Sequence, residues 1–283
     1  MRTLRYMLFG ILIPVLGCGS SGGGADDGFG GQKYDTGAKD TATNPGSIAA
    51  VEVLNPRDNA SDIVARDGGV FYSTQYDPAV YFWNTEMEVP EKHAWDLGDL
   101  QGITVEEGVL LASFSDSGVE GWVSRIEAPK TQVEWAAKSD DGTLFRSPKD
   151  LVFFGGDLYV VDEKVGSLWR LEGEGQSVSS AYAASGLASV AVWNDALYVS
   201  DDGGVFSVSG EMVDPRKADA LGVVAGKLYG VHVELGIFEV GQPARQWAIP
   251  DLARPGPFVE YDSQVYVVDT VGGAIWRLQD FPQ

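Results

Sequence analysis

Leu158-Tyr159-Val160-Val161-Asp162-Glu163-Lys164-Val165-Gly166-Ser167-Leu168-Trp169-Arg170-Leu171 reads as an apolar strand, an acidic turn with a glycine, and a second strand carrying an aromatic. Val265-Tyr266-Val267-Val268-Asp269, continuing through Gly272-Gly273 to Ile275-Trp276-Arg277-Leu278, repeats it almost residue for residue. Leu197–Asp201 with Gly204–Phe206 is a third copy, and Leu228–His232 with Gly236–Phe238 a fourth. Weaker copies begin at Val70 and Val109. The copies recur about every forty residues, the spacing of a propeller blade built from four short strands.

Another apolar stretch precedes each copy: Asp62–Ala65, Gly102–Val105, Asp150–Phe153, Ser189–Val192, Ala220–Val223 and Pro257–Glu260. A tight turn such as Gly155-Gly156-Asp157 or Asn194-Asp195 joins each pair, which is a hairpin signal. These inner strands lack clean alternation, as strands buried on both faces do. More variable outer strands follow: His93–Leu97, Gln132–Ala136, Val178–Tyr182 and Arg245–Ile249. In blade four the outer segment holds Pro215, which cannot donate to a ladder, so that strand is expected to be short or absent. An insertion over Lys138–Ser147 separates blades two and three. The last blade lacks an outer strand, whereas Ile48–Leu54 is strand-like without a blade of its own. The expected fold is therefore all-β: a six-bladed β-propeller over 48–283, its ring closed by an N-terminal strand, which removes free edges.

Asp150–Asp162 with Leu168-Trp169-Arg170-Leu171, and Pro257–Leu278 likewise, resemble the repeat of NHL-type and SMP-30/gluconolactonase-type six-bladed propellers. That resemblance implies the fold. The lactonases of this kind hold a central divalent metal with Glu, Asn and Asp. The six inner-strand entries here offer Asp62 and Asp150 and no Glu or Asn.

The N-terminus has its own pattern. Arg2 and Arg5 precede an apolar run, Met7–Leu16, too short to span a bilayer, and Val15-Leu16-Gly17-Cys18 follows. This resembles the bacterial lipoprotein signal, which implies cleavage of 1–17, acylation of Cys18, and an anchor in the bacterial cell envelope. Two or three acyl chains make such an anchor stable. Gly19, where an aspartate would favour inner-membrane retention, points to the outer membrane. Residues 18–47 are rich in Gly, Ser, Asp and Thr and read as a flexible tether. Cys18 is the sole cysteine among 283 residues, so stability must come from packing.

Twenty basic against 41 acidic residues give a net charge of −21, which opposes nucleic-acid binding. Candidate site residues lie where second strands end and inner strands begin, on one rim of the ring. Asp162, Asp201 and Asp269 end second strands, where the turn itself calls for an acceptor. Asp62 and Asp150 begin inner strands, where the repeat does not require acid. Together they suggest an acidic mouth, with the insertion as a wall beside Asp150. No cofactor is expected, Ca²⁺ or another divalent cation at Asp62 and Asp150 being the one candidate. His232 takes the place of an Asp, and His93 lies on an outer strand; two histidines so placed do not support a zinc site or a Ser-His-Asp triad. Trp83, Trp122, Trp169, Phe206, Phe238 and Trp276 recur on third strands and read as packing between blades, whereas Tyr76 and Phe114 fall in rim turns as candidate contacts. With no catalytic constellation evident, the pattern favours a lipid-anchored binding or scaffold module for a protein, peptide or glycan. The alternative is a metal-dependent hydrolase or lactonase.

Overall fold

The computed structural model describes residues 46–282, apart from Arg57, Asp58, Asp67 and Gly118. Cys18, the segment 1–17 and most of 18–47 lie outside the described residues. The described chain forms 25 strands in six sheets, and none of it is helical. No helix among the described residues is long and apolar enough to cross a membrane.

Four blades are antiparallel meanders: Ala60–Trp95, Leu100–Ala136, Pro148–Ala183 and Ser189–Asp214. Blade five spans Ala220–Ala248 and gains a fifth strand, Gly46–Ser47, which runs parallel to Gln246–Ala248. Pairing thus begins two residues before the boundary at which the sequence reading ends the tether. Gly and Ser carry no side-chain signal for this, because the contact is made by the backbone. Blade six takes its outer strand from Ala50–Leu54, which pairs antiparallel with Ile275–Leu278 in the register Ala50↔Leu278 and Leu54↔Ile275. The expected closure of the ring is therefore present.

The core consists of six apolar clusters, each lying between two neighbouring blades. At the closing seam Ile63, Tyr72 and Trp83 of blade one pack on Tyr266, Val268 and Ile275 of blade six. The third-strand aromatics sit in or against these seams, as their periodic placement predicts: Trp83 meets the Tyr266 ring edge-on at 5.8 Å, and Trp169 stacks on Phe145 at 5.6 Å. Phe114 departs from expectation. It is fully buried and stacks on Trp122 at 5.4 Å, because the second strand of blade two runs on to Asp116 and turns Phe114 inward. Tyr76 is exposed.

The insertion after blade two is also a correction to the expected wall. Phe145 is completely buried, its amide bonds the Ala137 carbonyl, and its own carbonyl accepts from Gly121. Asp140 accepts from the Val178 amide and Ser177 hydroxyl of blade three. The loop is pinned between blades two and three and does not line the central cavity. Phe145→Ala should lower the unfolding free energy by about 3–5 kcal/mol, as a large buried aromatic does when truncated. Denaturant titration measures this, and a loss below about 1 kcal/mol would show that the plug is not structural.

In blade four the outer strand is Met212–Asp214, three residues ending at Pro215, as its proline predicts. A side-chain tie compensates. Arg216 pairs with buried Asp214 at 2.6 Å, donates to the carbonyls of Glu239 and Gln242, and lies 4.3 Å over the Phe238 ring of blade five. Burial works to raise the Asp214 carboxyl, but Arg216 and the amides of Arg216 and Gly241 outweigh it and hold the group below its usual range.

Candidate functional site

The first residues of the inner strands stand around the axis, and there the chain leaves a cavity of about 390 Å³. Asp62 and Asp150 line it, from blades one and three. Each carboxylate also fastens its blade to the next one. Asp62 accepts from the amide of Ile63 and, across the seam, from the amide of Ile103, both at 2.8 Å. Asp150 accepts from the Val190 amide at 2.9 Å and the Ser189 hydroxyl at 2.5 Å. The Ser189 hydroxyl oxygen in turn accepts from the Leu221 amide at 2.9 Å, continuing the same device from blade four to blade five. Gly102 interrupts it in blade two because the Lys149 carbonyl of blade three comes so close that a Cβ would lie 1.8 Å from it.

These ties do not remove the cost of burying two negative charges near each other. Burial in the ring, and then the charge of Asp150, push the Asp62 carboxyl up to about 7. Burial also raises Asp150, while the Ser189 hydroxyl, the Val190 amide and the neighbouring Lys149 charge pull it back. The charge of Asp150 adds to the rise of Asp62, so the two carboxyls titrate as a coupled pair.

The other candidate aspartates have a different task. Asp162 is fully buried and accepts from the amides of Arg146, Ser147 and Val165 at 2.7–3.2 Å. Asp269 accepts from Ala253, Arg254, Val271 and Gly272 at 2.9–3.1 Å. Burial would raise its carboxyl, but these four amides outweigh that and lower it. Asp201 accepts from Gly203 and from the Tyr182 hydroxyl. Each closes its own turn, and Asp162 and Asp269 also clamp the segment leading into their own inner strand. His232 does the same in blade five, its Nδ1 accepting from the Glu234 amide at 3.2 Å. None of these four lines the cavity. His93 is exposed and meets the edge of Phe71.

The mouth is mixed in charge. Lys149, Lys217 and Arg254 line it together with Glu163 and Asp219. Lys149 pairs with Glu163 at 3.1 Å and Lys217 with Asp202 at 2.7 Å. The sequence reading missed these cations. Their signal was position: each lies at, or within a few residues before, the start of an inner strand, as the candidate aspartates do.

A divalent centre of the lactonase kind does not fit these donors. Ca²⁺ takes six to eight oxygens. Here only two carboxylates approach, from separate blades, each also tied to a backbone amide of the next blade. Among the described residues no group of three or more His, Cys, Asp or Glu is placed to hold a metal ion. What the arrangement can supply is two coupled carboxyl groups, from blades one and three, at one polar cavity.

No protein-family model matches the chain, and neither does any curated protein. Solved structures do match. A gluconolactonase from Xanthomonas campestris, XC5397, aligns with a TM-score of 0.67 at 14% identity over 81% of this chain and 88% of that one. The aldose sugar dehydrogenase of Streptomyces coelicolor, in its PQQ-bound form, aligns with a TM-score of 0.61 at 10% identity over 83% and 99%. A virginiamycin B lyase from Staphylococcus aureus aligns with a TM-score of 0.58 at 12% identity over 84% of this chain and 89% of that one. At such identities the likeness is one of fold, the six-bladed propeller.

Proposed function

We propose that this propeller is a hydrolase of small, polar cyclic esters, working at the axial cavity by acid–base chemistry of the Asp62–Asp150 pair. The supporting observation is the pair itself: two coupled carboxyls, one favouring its protonated form, at a cavity of about 390 Å³ lined by serine, threonine, glutamine and charged side chains. A cavity of this size suits a molecule no larger than a small sugar derivative. The fold neighbours named as a gluconolactonase, a sugar dehydrogenase and a lyase favour an enzyme over a scaffold. The binding-module reading draws on the tether, the anchor, the clean repeat and the lack of a catalytic constellation, and the Asp62–Asp150 pair weighs against the last of these.

In the proposed step Asp150 carboxylate takes a proton from water as its oxygen attacks the ring carbonyl carbon. The tetrahedral intermediate collapses, the bond from that carbon to the ring oxygen breaks, and Asp62 gives its proton to the departing alkoxide. The product is the open hydroxy acid, and proton transfer from Asp150 to Asp62 restores the pair. The proposal requires no metal. In the same proposal the enzyme is held in the cell envelope by acylated Cys18, with 19–45 as its tether.

The test is a screen of five- and six-membered sugar lactones with and without EDTA. Turnover insensitive to EDTA, and falling as pH rises through about 7 while Asp62 loses its proton, is the expected result. Turnover abolished by EDTA and restored by Ca²⁺ would replace this reading with the metal-dependent one. No turnover of any lactone would remove it.

A further inference from the structure

Arg254 is set apart from the other cations at the mouth. Lys149 and Lys217 are each neutralised by a carboxylate, whereas Arg254 has no ion pair among the described residues. In a chain with 41 acidic residues, a guanidinium left unpaired at a cavity runs against composition. Its backbone is held in place, as the matching segment of blade three is. The Arg254 amide donates to Asp269 at 3.0 Å, and its carbonyl accepts from both the Thr270 amide at 2.9 Å and the Thr270 hydroxyl at 3.2 Å. The residue thus combines a fixed root with an uncommitted head. It stands at the entry to the inner strand of blade six, which packs beside the blade-one strand that carries Asp62.

We propose that Arg254 receives a carboxylate on the substrate, so that the preferred substrates are lactones of sugar acids that carry a second, free carboxylate. This rests on the hydrolase reading for the chemistry, though not for the binding. A guanidinium offers two parallel N–H donors that match one carboxylate. A phosphate dianion fits less well. It would call for a second unpaired cation, and the mouth already holds Asp219 and Glu163. The neutral part of the molecule is then directed over Asp62 and Asp150.

Two measurements test this on the full chain. Calorimetry compares glucuronate with glucose, which differ by the carboxylate, and with inorganic phosphate, for wild type and Arg254→Met. The expected result is glucuronate binding at least 10-fold tighter than glucose in wild type, a difference that Arg254→Met erases and Arg254→Lys partly restores. Kinetics compare glucaro-1,4-lactone with glucono-1,4-lactone, and the ratio of their kcat/KM values should fall about 10- to 30-fold in Arg254→Met, carried by KM. Equal binding of glucuronate and glucose, no binding of either, phosphate binding tighter than glucuronate, or an unchanged ratio would each overturn the assignment. Glucuronate held through Arg254 without any lactone turnover would keep it while removing the hydrolase. Lactone turnover indifferent to the free carboxylate would do the reverse.

Discussion

A chain beginning at Asn55 should fail to give a stable propeller, whereas one beginning at Gly46 should melt like the full-length protein. Removing Ala50–Leu54 leaves Ile275–Leu278 as a bare edge strand and takes away every ladder bond of the pair Ala50↔Leu278 to Leu54↔Ile275. It also removes Ile48, buried between blades five and six among Val224, Tyr229, Phe258 and Leu278. Truncating a buried isoleucine costs about 2–5 kcal/mol on its own. Adding the lost strand brings the deficit close to the whole stability of an ordinary domain, which is about 5–15 kcal/mol. Calorimetric melting with light scattering reads both outcomes: aggregation or a fall in Tm of more than about 15 °C for the shorter chain. Equal melting of the two chains would mean that the closing strand is dispensable.

Asp62→Asn should lower turnover of a responsive lactone by about 10²- to 10³-fold, the size of a lost general acid. It should also change how stability depends on pH. The Asp62 carboxyl ordinarily titrates near 3.8 and in the folded chain near 7, so the folded state holds a proton that the unfolded state has released. Wild-type stability therefore falls as pH rises from about 4 to about 7, and is level above that as far as this group is concerned. The full shift would correspond to about 4 kcal/mol. Water reaching the carboxyl through the open cavity reduces this, and about 2 kcal/mol between pH 5 and pH 8 is the expected difference. Asparagine carries no charge but loses one amide acceptor, at a cost of about 1 kcal/mol. The variant should thus melt below wild type at pH 5 and level with it or above at pH 8. Curves that stay parallel across this range would show that Asp62 is an ordinary ionised cap.

The architecture was legible because propeller blades repeat a local signal. Leu158–Leu171 and Val265–Leu278 state strand, turn and strand within a few residues, and the unpaired Ile48–Leu54 announced the closing partner by simple accounting. Pro215 marked the short outer strand through its missing N–H. The site was half legible. Asp62 and Asp150 stood out because their counterparts in the repeat are Gly102, Ser189, Ala220 and Pro257. Their second role, bonding the amides of Ile103 and Val190 across a seam, depends on how two blades approach, which no local pattern encodes. The same holds for Lys217 and Arg254, brought to one mouth from segments that show no periodicity. Phe145 hid in a loop, where a lone aromatic has no face to declare, and Phe114 was mistaken for a turn residue because its strand runs past it.

The seam between Ala50–Leu54 and Ile275–Leu278 joins two strands that lie far apart in sequence. Ala50–Leu54 must therefore wait for Ile275–Leu278, which is synthesised much later. Until then blade six is one strand short, the apolar faces of Ile48 and Leu278 lie open, and the ring can exist as an unlatched arc. Bringing such distant strands together carries one of the largest loop-closure entropies that a chain of this length can offer, so latching is the step expected to set the folding rate. Slow arrival of Ile275–Leu278 would leave that arc with an open edge, ready to pair with the same strand of another copy in place of its own.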